Sequence, residues 1–93
     1  MPTTLNSYAA EFAANDVRTT RLLTLDTEEA QARAVLERAE VDANEAWQAI
    51  KDGTPGAVAV WRALSRRTDE ACSDYRQAMR RRLLAELASR DVT

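Results

Sequence analysis

Ninety-three residues, 45% of them hydrophobic, with a net charge of −2, describe one small folded domain and exclude a disordered chain. There is no histidine, and Cys72 is the only cysteine. This removes the commonest general base near neutrality, any intramolecular disulfide and a structural zinc site.

Alanine is abundant and aromatic residues make up 5% of the chain, which favours helix over sheet. A chain this short buries only about 60–65% of the surface that its unfolded form exposes, so self-association is a natural supplement. Basic residues are almost all arginine, with Lys51 the only lysine, a bias that fits a GC-rich bacterial or phage genome. The opening "MPTTLNSYAAEF" lacks the basic and apolar regions of a signal peptide. No apolar run approaches the roughly 18–20 residues of a membrane span. A cytoplasmic protein with no membrane partner is expected.

Residues 4–14 place Leu5, Tyr8 and Phe12 on one face, predicting a short amphipathic helix that packs on the rest of the chain or on another subunit. A long helix is predicted over residues 16–51. Its seam, Leu22, Leu25, Glu29, Ala32, Leu36, Ala39, Ala43, Ala46 and Ile50, alternates steps of three and four, which is heptad spacing. Asp26 with Glu29 offers a capping-box-like start, but the seam runs back through it, and Asn15 or Asp16 can cap the longer helix. Both glycines and the second proline fall in "KDGTPG". There Gly53 is expected to end one helix in a positive-φ conformation, with Thr54 as N-cap and Pro55 as first residue of the next. That helix, over residues 55–90, carries Ala57, Trp61, Leu64, Thr68, Ala71, Tyr75 and Ala78. The stripe is then expected to drift to Cys72, Met79 and Leu83 at eleven-residue spacing.

A connection of this length makes the two long helices antiparallel neighbours. Pairing positions that sum to about 107 sets Ala46 against Trp61, Ala43 against Leu64 and Leu36 against Ala71, so that large faces small as dense packing requires. The fold class predicted is all-α: a hairpin of two long helices with a short N-terminal helix, completed to a four-helix bundle by dimerisation. The arms differ in sign. Residues 26–52 hold eight acids and three bases, whereas residues 55–93 hold eight arginines and five acids.

Cys72 lies on the apolar stripe and reads as an inert thiol. With both glycines in one turn there is no phosphate-cradling loop. No catalytic residue, cofactor or metal is therefore expected. One pattern tests this. "ERAE" supplies Glu37 and Glu40, and "DEACSD" supplies Asp69, Glu70 and Asp74. These resemble the ExxE and ExxD magnesium ligands of all-α nucleoside triphosphate pyrophosphohydrolases of the MazG type. The second motif here is spaced ExxxD, which turns one carboxylate by about 100° on a helix. Solvated charges flanking a seam are the simpler reading.

"RQAMRRRLL" concentrates Arg76, Arg80, Arg81 and Arg82. These can complement a helix C-terminus and pair with the acidic arm, bind an acidic protein, or grip phosphates. The acidic overall balance and the lack of interleaved aromatics weigh against nucleic acid. Arg82 falls on the seam near Glu29. That glutamate either marks a wet stretch of the interface or pairs with Arg82 and sets register. Trp61 reads as core. Trp47 sits beside the seam, where tryptophan serves well as an interface anchor.

In outline, size and hairpin resemble the small paired helical hairpins of type VII secretion. Their Trp-x-Gly turn is absent from "DGTPG", and Tyr75 is followed four residues later by Met79 rather than an acid. The function expected is that of a non-enzymatic helical protein that binds a protein partner, as an inhibitor, adaptor or small chaperone does, and forms a homodimer. Trp47, Arg76, Arg80, Arg81, Tyr8 and Phe12 are its candidate contact residues. Nucleic-acid binding through the arginine run is the alternative, and the magnesium-dependent hydrolase a further one.

Overall fold

Nothing between Pro2 and Gly53 breaks a helix, and the computed structural model shows one uninterrupted helix, α1, over Pro2–Lys51, followed by α2 over Ala57–Asp91. The structure describes residues 2–91, with side chains for residues 13–90. All secondary structure among the described residues is helical. The separate short helix expected over residues 4–14 is not present as an element. Its backbone forms the first turns of α1, which start at Pro2 rather than near residue 16. The threonines in α1 are accommodated by bonding to their own helix. The Thr24 hydroxyl donates to the Thr20 carbonyl at 2.8 Å and the Thr27 hydroxyl to Leu23 at 2.9 Å.

The turn satisfies the helix ends in two steps. Thr54 N–H donates to the Ala49 carbonyl at 2.9 Å and Gly53 N–H to Ile50 at 3.0 Å, with Gly53 at φ 76°. This is a Schellman C-cap, and it occupies carbonyls that would otherwise be left without partners. Thr54–Pro55–Gly56–Ala57 then form a β-turn. Ala57 N–H donates to Thr54 at 3.3 Å, and Gly56 sits at φ 77°, as the third residue of a type II turn demands. The expected N-cap at Thr54 is thereby corrected. Proline at the second turn position and glycine at the third favour the turn over a first helical residue. The Gly56 carbonyl instead receives the first helical bond, from Val60 N–H at 3.3 Å.

α2 runs back along α1 in antiparallel sense, joining Trp61 to Trp47 near the turn and Arg82 to Asp26 and Glu29 far from it. Every predicted seam position of α1 is buried or half-buried, and so is every α2 position from Ala57 to Ala78 named for the seam. Of the expected drift, Cys72 and Met79 are half-buried, but it does not reach Leu83. The heptad continues through Arg82, Ala85 and Ser89, all half-buried, while Leu83 is turned outwards. The reason is local: Glu29 and Glu86 accept hydrogen bonds from Arg82, with Asp26 3.6 Å away, so the 3.5-residue repeat is kept across a polar layer.

Among the described residues the buried side chains are alanines: Ala39, Ala46, Ala57, Ala71 and Ala78. At about 0.8 kcal/mol per buried carbon, their methyl groups contribute on the order of 4 kcal/mol. The hairpin measures 79 × 18 × 13 Å, with a radius of gyration of 21.8 Å, where a compact chain of this length has about 12 Å. It exposes 7414 Å², against about 5,400 Å² for a compact monomer of this mass.

Candidate functional site

The surface carries what the seam leaves out. Val17, Leu23, Val35, Val41 and Trp47 on α1, and Val58, Val60, Leu83, Leu84 and Leu87 on α2, are all exposed. Helical periodicity spreads them around the hairpin rather than into one patch. Trp47 is the largest. It is 43% exposed, with its ring centroid 5.5 Å from that of Trp61 at an interplanar angle of 48°. Lys51 Nζ stands 5.8 Å from the Trp47 centroid, within range of a cation–π contact. Trp61 is half-buried in the seam. The two indoles thus form one aromatic step near the turn, with its inner half in the core and its outer half in solvent.

The arginine run is divided by the helix that carries it. Among the described residues, Arg82 crosses to the acidic arm. Its Nε donates to Glu29 Oε2 and lies 3.6 Å from Asp26 Oδ1, and its Nη1 donates to Glu86 Oε1 at 2.7 Å. The hydrogen bond to Glu29 is the main reason that the Arg82 pKa is raised above its ordinary value. Desolvation opposes this, while the charges of Glu29 and Glu86 and the bond to Glu86 add to it. Arg76, Arg80 and Arg81 are exposed and make no ion pair among the described residues. Pairing of the run with the acidic arm therefore rests on Arg82. The other salt bridges, Arg33–Glu37 at 3.3 Å and Arg38–Asp42 at 3.4 Å, lie within α1 and each contributes about 0.3–0.5 kcal/mol.

Arg76 and Arg80 belong to a stripe that the sequence reading missed. Arg62, Arg66, Asp69, Ser73, Arg76, Arg80, Leu83, Leu87 and Arg90 step by four and three along the outward face of α2, and all are exposed. The signal was the same heptad count used for the seam, started one face over. Arg81 instead turns to a flank. There it meets Arg18 and Arg21 of α1 around a groove of about 470 Å³ floored by leucine and alanine. The side chains of Tyr8 and Phe12 lie outside the described residues. Cys72 is a half-buried free thiol beside the seam.

Among the described residues, no three acidic or cysteine side chains gather closely enough to hold a metal ion. The carboxylates Glu37, Glu40, Asp69, Glu70 and Asp74 are all exposed. No helix among the described residues is long and apolar enough to cross a membrane. Compared with protein families, curated proteins and solved structures, the chain matches none of them.

Proposed function

We propose that this chain is a non-enzymatic helical interaction protein, which completes its core by pairing with a second copy as a four-helix bundle and acts by binding a protein partner. The observation that carries this reading is the balance of surface among the described residues: five buried alanines inside, and ten large hydrophobic side chains outside. The excess over a compact monomer is about 2,000 Å² per chain, so a pair that covers it buries about 4,000 Å², within the range of obligate homodimers. Charge supports the same arrangement. α1 holds nine acids and five bases, and α2 eight bases and five acids. A bundle that sets α1 beside the α2 of the other copy puts unlike signs at each new contact, whereas like-with-like pairing sets net charges of one sign side by side.

The test is sedimentation equilibrium from about 1 to 100 μM, with melting curves at each concentration. A dimer, with a melting temperature that rises with concentration, is expected. A cooperatively melting monomer across that range overturns the homodimer.

The outward stripe of Arg62, Arg66, Arg76 and Arg80 favours a second reading, nucleic-acid binding through phosphates. In that case affinity for duplex or single strands falls steeply with salt, and Arg76→Ala with Arg80→Ala abolishes it.

A further inference from the structure

At the open end of the hairpin, away from the turn, one groove differs in character from the rest of the surface. Leu25 of α1 and Leu84, Ala85 and Ala88 of α2 line an apolar trough of about 470 Å³, and Arg18, Arg21 and Arg81 stand around it. Among the described residues, no acidic residue lines this groove and none of the three arginines has an ion pair. The grooves further along the same flank include acids in their lining: Asp42 with Arg38 and Arg67 in one, and Glu28 and Asp74 with Arg81 in another. A groove lined by three arginines and no acid thus occurs at one place among the described residues of this flank, with Arg81 shared between it and the groove that Glu28 and Asp74 line.

We infer that this groove is the docking site for an amphipathic helix of a partner protein that presents apolar residues at i, i+3 and i+4 between glutamates or aspartates. The inference rests on the reading of the chain as a protein-binding module, and it names the site and the chemistry of the partner. Charge complementarity selects the occupant. The apolar floor takes the buried face of a helix by the usual helix-in-groove mode. The guanidinium groups are geometrically suited to carboxylates at its edges. A nucleic acid would satisfy the arginines but leave Leu25 and Leu84 against phosphate and sugar. The groove spans about two helical turns of each arm, roughly 10–12 Å, which sets the contact at two to three turns of the incoming helix. Arg18 and Arg21 are three apart, so they lie on one face of α1 and flank the same side of that helix.

The experiment is fluorescence anisotropy with a labelled designed peptide of about 15 residues carrying leucines at helical spacing between glutamates. Three controls accompany it: the same composition scrambled to destroy the apolar stripe, the lysine counterpart, and a labelled DNA duplex. The acidic amphipathic peptide is expected to bind at least about tenfold more tightly than its scrambled or lysine forms, and Arg18→Glu, Arg21→Glu and Arg81→Glu together to remove that preference. These arginines are exposed and have no ion pair among the described residues, so the triple variant keeps its helix content by circular dichroism. Leu84→Ser in a second variant tests the floor without changing charge, and is expected to weaken binding at least about threefold. Equal binding of the scrambled peptide, tighter binding of the duplex, or no binding overturns the inference. The oligomeric state of the same samples separates the outcomes. A dimer that ignores every peptide ends this assignment and leaves the homodimer standing. A monomer that binds none of the probes ends both.

Discussion

Arg82 reaches across the hairpin from α2 to hydrogen-bond Glu29 of α1, and it is the one residue that ties the basic arm to the acidic arm by an ion pair among the described residues. Its position replaces an apolar seam residue by a polar layer, with Asp26 and Glu86 completing the set. Such a layer sets register more than it adds stability, because a slipped hairpin leaves the half-buried charge without partners. The raised pKa of Arg82 means that its contribution is fully present at every pH below its ordinary value and is lost only in stronger alkali. Substitution, rather than pH, is the way to read it.

Arg82→Ala should lower the melting temperature clearly, and Arg80→Ala, an exposed and unpaired neighbour, should leave it nearly unchanged. In a double-mutant cycle with Glu29→Ala the two losses should be strongly non-additive. Replacing both residues by leucine should recover the stability and relax the register. Additive losses in thermal denaturation would show that the pair is not coupled.

Gly53 and Gly56 both hold positive φ with open space around the position of a Cβ, so alanine there meets a backbone penalty and no clash. Gly53→Ala and Gly56→Ala should each cost about 1–2 kcal/mol in urea denaturation, with unchanged m-value. Asparagine at Gly53 should cost less, since it tolerates this conformation better.

The alanine seam leaves no room for larger side chains. Ala71→Leu, at a position 3% exposed, should destabilise by about 1–3 kcal/mol through overpacking. Circular dichroism and urea titration of this variant beside Ala63→Leu, on the exposed side of α2, measure the contrast.

Trp47→Ala should weaken self-association or partner binding more than it lowers helix content, since 43% of this side chain is in solvent in the isolated hairpin. Sedimentation and circular dichroism on one sample decide it. Parallel loss of both would place Trp47 with the plain core.

Exposed Val35 and Val60 carry the same test in another form. Changed to serine in a free-standing hairpin, each should alter stability by less than about 0.5 kcal/mol. Covered by a second copy, each should lower the melting temperature most at low protein concentration.

Much of this architecture was legible from spacing alone. The three-four alternation from Leu22 to Ile50 named the buried face of α1, because a helix has one periodicity and a two-helix contact selects the residues that follow it. Gly53 was legible as a C-cap for a similarly local reason. Local reasoning reached its limit where two local motifs competed. Thr-Pro can open a helix, but Pro-Gly in the middle of four residues makes a type II turn, and the glycine φ decides between them. At Leu83 the apolar count pointed one way and the structure another, since the seam tolerated Arg82 only because carboxylates from both helices converge on it.

The chain by itself determined that there are two helices, where they turn and which stripe of each is apolar, because periodicity, breakers and side-chain volume act within a few residues of one another. Tertiary structure decided what became of the arginines. The helix sends Arg76 and Arg80 outwards, Arg81 to a groove shared with Arg18 and Arg21, and Arg82 into the seam. A charge run in sequence is scattered by 100° per residue, and its members acquire different neighbours only when a second helix, paired at one register, is laid against them.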